Sequence, residues 1–175
     1  MAHYAMGVLR RSQNRLTESR LELETAVALD RNNARALHQL GHTLRYLGEP
    51  EAAIPHIEKA IRLNPRDPFV AHYYYALGSC HLFLGHVDLA VELLTRARAG
   101  NPRYWYIYLW LAAALGLRGD LAEAKAALAE GIKLEPRVSS LAQWHAHSRW
   151  GTPKHAALAE ATVNAGLRRA GFPDK

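Results

Sequence analysis

The sequence predicts an all-α protein made of stacked helical hairpins, and three observations lead there. Alanine and leucine are abundant while valine, isoleucine and threonine are scarce, a balance that favours helix over strand. Small residues recur at a near-constant step, from Gly7 to Gly41 and from Gly41 to Gly78. Three further series keep that step: Gly48, Gly85 and Gly119; Ala53, Ala90 and Ala124; Pro65, Pro102 and Pro136. Small residues recur where two helices cross closely, and a proline marks where the second helix ends.

The elements follow in order. Residues 1–33 form a degenerate first hairpin, and residues 34–67, 71–104 and 105–138 form three regular ones. Four residues after each recurring alanine stands a large apolar residue, Ile57, Leu94 or Leu128, followed by Ala60, Ala97 or Gly131. In the third unit Arg98 and Gly100 occupy late second-helix positions, so that helix is expected to end early, at Gly100. Past residue 138 the pattern stops. "SSLAQWHAH" suits one short helix. Thr152 then supplies an N-cap, Pro153 a first turn, Gly171 a C-cap and Pro173 a stop. Ala156, Leu158, Ala159, Val163 and Leu167 lie at helical spacing between them. Residues 139–175 are therefore expected to form a two-helix cap sealing the exposed end of the last hairpin. Trp144, His145, His147 and Trp150 are expected to hold the short helix against the long one.

The chain has 175 residues, enough for one domain with a real core. Its single cysteine, Cys80, cannot form an intrachain disulfide and suits a reducing compartment. The N-terminus lacks the three regions of a signal peptide, and the uncharged run from Tyr104 to Leu117 is shorter than the roughly 20 residues a bilayer span needs. A cytoplasmic chain is expected, with no membrane partner. The net charge of +6 raises the question of nucleic acid, but the cations are dispersed, with only Arg10-Arg11 and Arg168-Arg169 adjacent. Solvated helix faces account for the excess more simply.

The period and the order Leu-Gly, Gly, Ala-x-x-x-large, Ala, Pro resemble the tetratricopeptide repeat, whose unit is one helix-turn-helix hairpin. The resemblance implies a right-handed α-solenoid, a superhelix of about four hairpins. It is strong over residues 34–67, 71–104 and 105–138. In the first unit Arg10, Asn14 and Arg31 replace the family's aromatic, glycine and proline, and in the fourth Ala112 replaces the glycine. The first unit begins one residue short of a complete repeat, which points to a piece of a longer protein. "IRLNPRDP", the insertion Pro68-Phe69-Val70, "AAALGLRGDLAEAKAALA" and the ending "GLRRAGFPDK" are similar to a narrower group. They resemble the C-terminal repeat region of alphaproteobacterial class III adenylate cyclases and related multi-domain regulators. That resemblance implies a bacterial signalling setting, with a catalytic domain that has no counterpart in these residues.

In such repeats the first helix lines a concave groove with its second, fifth, ninth, twelfth and thirteenth residues. Applied here, the register puts Tyr4, Arg35, His38, His42, Arg45, Tyr46, His72, Tyr75, Ser79, Phe83, Tyr106 and Leu109 in the groove, with Trp110 at its border. It also separates the three tyrosines of "HYYYALG": Tyr73 faces a neighbouring repeat, Tyr74 belongs to the core and Tyr75 points into the groove. The predicted surface is basic at one end, aromatic at the other and free of carboxylates. A peptide with acidic and apolar side chains is its complement. The partner is thus a protein or peptide, or another domain of the same polypeptide, and a homo-oligomer is also compatible. The groove positions that clamp chaperone tails in related proteins are Tyr4, Val8, Gln39, His72 and Ala76 here, and none keeps the required residue.

Rival readings rest on fewer residues. His38, His42 and His72 have the side chains to hold a zinc-like ion or act as acid-base groups, but no H-E-x-x-H arrangement accompanies them. His81 is expected to be a core histidine with a satisfied hydrogen bond, and Cys80 core filler. No nucleophile elbow, phosphate loop or C-x-x-C occurs, and the sequence requires no cofactor, metal or catalytic residue.

Overall fold

The computed structural model describes residues 1–148 and 150–175. Four hairpins form in order: α1 (Ala2–Ser12) with α2 (Leu16–Leu29), and α3 (Ala34–Leu47) with α4 (Pro50–Leu63). α5 (Val70–Phe83) pairs with α6 (Val87–Gly100), and α7 (Trp105–Arg118) with α8 (Leu121–Leu134). The recurring glycines sit where paired helices touch. A Cβ at Gly7 would stand 2.5 Å from Leu23, one at Gly41 2.4 Å from Ile57, and one at Gly78 2.9 Å from Leu94. Real Cβ contacts are essentially never that short, so any larger residue there would force the facing side chain or helix to shift.

α6 does stop at Gly100, yet it is not shortened, because it has 14 residues like α4 and α8. Gly100 instead lets α6 approach Ala71, at 3.2 Å from a hypothetical Cβ. The turn after α3 needs left-handed backbone, supplied by Gly48 at φ 77°. In the first hairpin Asn14 adopts φ 57°, a conformation asparagine tolerates better than most residues.

The apolar faces merge into two adjoining cores. Leu37, Leu40, Ile57, Tyr73 and Leu77 belong to the first. Leu94, Ile107, Leu111, Leu128 and Leu167 belong to the second. Tyr73 is buried against His38 of the preceding hairpin, ring centroids 4.2 Å apart, as the register requires. Tyr74 packs against both cores from their edge. It is only half-buried, and Arg96 reaches over its ring. Cys80 is fully buried, and burial pushes its thiol up to about 12. His81 is buried beside His86, with Nδ1 atoms 3.2 Å apart.

The C-terminal segment takes a different path from the one expected. After α9 (Leu141–His147), capped by Ser140, comes α10 (Pro153–Ala159), capped by Thr152. α10 continues through a π-helical turn, Glu160–Asn164, into α11 (Ala165–Arg169). This continuous helix runs along the first helices of the last three hairpins, α3, α5 and α7, which is the concave side of the stack. At its start the Thr152 N–H donates to Tyr46 O, and the Thr152 hydroxyl donates to Leu47 O, each at 3.0 Å. The His155 ring then meets Tyr46 of α3 and Phe83 of α5, with centroids 5.3 and 5.2 Å apart. At the far end Gly166 lies against α7, where an added Cβ would be 2.1 Å from Ala113 O.

Small residues explain the fit. Ala112, Ala113, Ala114 and Gly116 leave a trough along α7 that admits a helix at backbone contact. The end of the chain also closes the last hairpin: Leu141 N–H donates to Pro173 O at 2.8 Å, and Phe172 is buried with Val138. No helix among the described residues is long and apolar enough to cross a membrane.

Candidate functional site

The C-terminal helix divides the predicted groove residues into a covered set and an open set. Arg45, Tyr75, Phe83 and Trp110 are buried beneath or beside it, and Ser79 and Leu109 are fully buried. Ser79 donates to Ala76 O at 2.9 Å, and Leu109 belongs to the core, so neither presents a surface. Those two positions are corrections to the expected groove. Tyr75 does point toward the concave side, but it lies under other rings, 5.0 Å from Tyr106 and 5.7 Å from Trp110.

The open set lies toward the N-terminal hairpins. Arg35 is exposed there, while Tyr4, His42, Tyr46, His72 and Tyr106 are half-buried. His38 is buried at the base, stacked on Tyr73. A cavity of about 290 Å³ opens between Tyr4, Arg11, Arg35, His38, His72 and Phe69. Phe69 belongs to the inserted loop, which Asp67 ties down by accepting from Phe69 N–H at 2.8 Å and Asn64 Nδ2 at 3.0 Å. The insertion therefore builds one wall of this cavity, a role its sequence did not disclose.

Arg11 belongs to the site although the groove register did not assign it. Its signal was available, because Arg11 precedes Arg45 by the same interval that separates Gly7 from Gly41. Arg11 approaches His42 Nδ1, while Arg45 Nη2 lies 3.1 Å from His42 Nε2. A neutral imidazole accepts at only one nitrogen, so this sandwich places two guanidiniums where one is satisfied. The nearby carboxylate is Asp67, 3.7 Å from Arg35 and itself buried.

Electrostatics follow from this crowding of cations. Burial, then the Arg11 charge, holds His38 well below the ordinary histidine range. Burial, then Arg11 and Arg45, does the same to His42. Burial and Arg11 lower His72, whose ring is 3.1 Å from the Tyr106 hydroxyl. These histidines are neutral at neutral pH. His38 Nε2 and Gln39 Oε1 are buried without partners at the cavity wall. Among the described residues no group of three His, Cys, Asp or Glu is placed to hold a metal ion.

The tryptophan-histidine cluster after α8 also divides. Trp144 and His147 pack on Trp105 of α7, with centroids 5.9 and 5.1 Å away. His145 ties the short helix to the long one, through a 2.9 Å contact with Asn164 Nδ2. Trp150 remains exposed.

Comparison with known proteins agrees with this geometry. Two family models described as tetratricopeptide repeat match residues 32–102 and 81–137. BBSome complex member bbs-4 of Caenorhabditis elegans is 39% identical over 90 residues, covering 50% of this chain and 18% of that protein. BBSome complex member BBS4 of Bos taurus is 28% identical over 140 residues, covering 80% of this chain and 26% of that protein. The chain thus spans about a quarter or less of the length of these curated relatives. Among solved structures, MamA superposes with a TM-score of 0.67 at 22% identity, over 97% of this chain and 88% of that one. YrrB, described as a TPR protein with an unusual peptide-binding site, superposes at 0.64 and 20% identity, over 93% and 84%. At these identities the structural likeness establishes the fold.

Proposed function

With residues 32–137 belonging to the tetratricopeptide repeat family, we propose that the chain is a protein-interaction module that binds an acidic, partly apolar peptide segment in the open N-terminal half of its concave surface. The supporting observation is the set of cations around His42. Arg11 and Arg45 flank His42, Arg35 lines the same cavity as Arg11, and the only carboxylate within 4 Å of any of the three among the described residues is the buried Asp67. A peptide carboxylate can take a forked pair of hydrogen bonds from a guanidinium, and Tyr4 and Phe69 offer apolar contact beside it. That YrrB is described as binding a peptide and BBS4 as a complex member is in keeping with this reading.

The C-terminal helix gives the module its second property. It fills the other half of the groove as an internal ligand, so a partner engages a surface already shaped by the chain's own residues. The finer setting, a regulatory region attached to a cytoplasmic signalling domain such as an adenylate cyclase, rests on the resemblance of the insertion and the tail and on the lone reduced Cys80.

A peptide array tests the reading. Glutamate- and leucine-containing peptides are expected to be retained, and Arg35→Gln together with Arg11→Gln should abolish retention while the helical circular-dichroism spectrum is kept. Retention of acidic and neutral peptides alike, or retention untouched by the double substitution, would reject it.

A further inference from the structure

A second cavity, of about 330 Å³, lies where the C-terminal helix arches over the groove floor. Its walls are mostly rings and aliphatic groups, with Tyr75 and Trp110 below, Trp144 at one side and Val163 above. Arg45 lines it while being only 1% exposed. That guanidinium lies 4.2 Å from the Tyr46 ring, 5.4 Å from Trp110 and 5.5 Å from Tyr75. Ring faces offset part of the desolvation cost of a buried cation, but they do not neutralise it. No carboxylate among the described residues lies within 4 Å of it. Glu160, at the cavity rim, is taken by Arg168 at 2.7 Å and by Asn164 Nδ2 at 2.6 Å.

Four buried polar atoms around this space lack partners: Arg45 Nε, Trp110 Nε1, His155 Nε2 and Asn164 Oδ1. Each such atom costs free energy unless something in the cavity bonds to it. Arg45 Nε and Trp110 Nε1 are obligate donors, and the first is part of the buried cation itself, so the complement is an anion. The apolar walls require that the anion carry an apolar body. The π-helical turn Glu160–Asn164 is what brings Val163 and Asn164 to the cavity, and irregular turns of this kind recur at binding sites.

We propose that this cavity binds a small organic carboxylate with an aromatic or aliphatic body. The carboxylate sits against Arg45 and the Trp110 N–H, and a hydroxyl on the body donates to Asn164 Oδ1. At about 30 Å³ per water-sized share, the space suits on the order of ten non-hydrogen atoms. The site lies under the C-terminal helix; Arg45 borders both it and the open half of the groove, and acid binding here does not require a peptide there. Because the roof is the C-terminal helix and the floor is α3, α5 and α7, a bound acid fastens the helix in place.

Calorimetric titration of the whole chain with 4-hydroxyphenylacetate, with tryptophan fluorescence as a second readout, tests this. One-to-one saturable binding is expected, and 4-hydroxyphenylacetamide should bind at least about tenfold more weakly, because it lacks the charge. Arg45→Met should abolish binding. Should that variant fail to fold, Trp110→Phe keeps a ring, removes the donor and should weaken binding about tenfold with an unchanged melting curve. No saturation into the millimolar range would overturn the proposal. So would equal affinity for acid and amide, or affinity untouched by Trp110→Phe.

Discussion

Gly166→Ala should loosen the C-terminal helix from the groove, and the structure sets the size of the effect. The added Cβ would stand 2.1 Å from Ala113 O and 2.7 Å from Ala113 C, where ordinary contact begins near 3.4 Å. Both obstacles are backbone, so no side chain can rotate aside and the helices must separate by about an ångström. Overpacking of this kind costs about 1–3 kcal/mol. Alanine's better helix propensity, about 1 kcal/mol over glycine, stabilises the helix whether docked or free and does not rescue docking. At about 1.4 kcal/mol per decade, the docked population loses roughly five- to 150-fold against the undocked one. Amide hydrogen exchange by mass spectrometry reads this directly. Peptides covering 153–172 should exchange faster by that factor, while those from the second helices α2, α4 and α6, against which the C-terminal helix does not pack, should not change. Equal protection in both chains would refute the argument that Gly166 is the contact fixing the helix.

Other consequences are open to simpler assays. Gly78→Leu should destabilise the fold by about 2 kcal/mol or more, since even its Cβ would lie 2.9 Å from Leu94 Cγ and 3.3 Å from Leu94 N; an unchanged thermal midpoint would contradict the register. Burial holds His38 and His42 well below the ordinary range and His155 at about 3, so the unfolded chain binds more protons than the folded one below about pH 6.5. Stability should therefore fall between pH 7 and pH 5, by up to about 1.4 kcal/mol per unit for each such histidine, and His155→Gln should flatten the slope in urea titrations. With magnesium or manganese the chain should leave ATP unchanged in a cyclic-nucleotide assay, and turnover abolished by His38→Ala would favour an enzyme instead.

The hairpins were legible because their signals are local and repeat. Gly41 and Gly78 announce the crossings, and Thr152 with Gly171 the limits of the last helix. Where that last helix would lie was not legible. Its docking depends on Gly166 meeting Ala113 and Gly116, which stand far from it in the sequence, and no periodicity links them. The run Ala112-Ala113-Ala114 was the one hint, since small residues on a groove-lining helix leave room for another backbone. The groove was legible as a register and not as a surface. Ser79 and Leu109 keep the family's groove positions yet are closed over, while Arg35 and His72 remain reachable. Burial of Arg45 could not be read either, because a cation at a groove position is ordinarily solvated and only the returning helix removes its water.

The histidines allow the central claim, that the concave side is the binding surface, to be tested in one experiment. His38, His42 and His72 lie around the open cavity, whereas His56 on α4 and His86 before α6 lie on other faces. Carbon-detected or proton-carbon NMR of the imidazoles resolves these rings as an acidic peptide from the array is added. The His38, His42 and His72 signals should move in proportion to peptide bound while those of His56 and His86 stay fixed. Movement of His56 or His86 with the groove histidines unchanged would place binding on the second helices and contradict it.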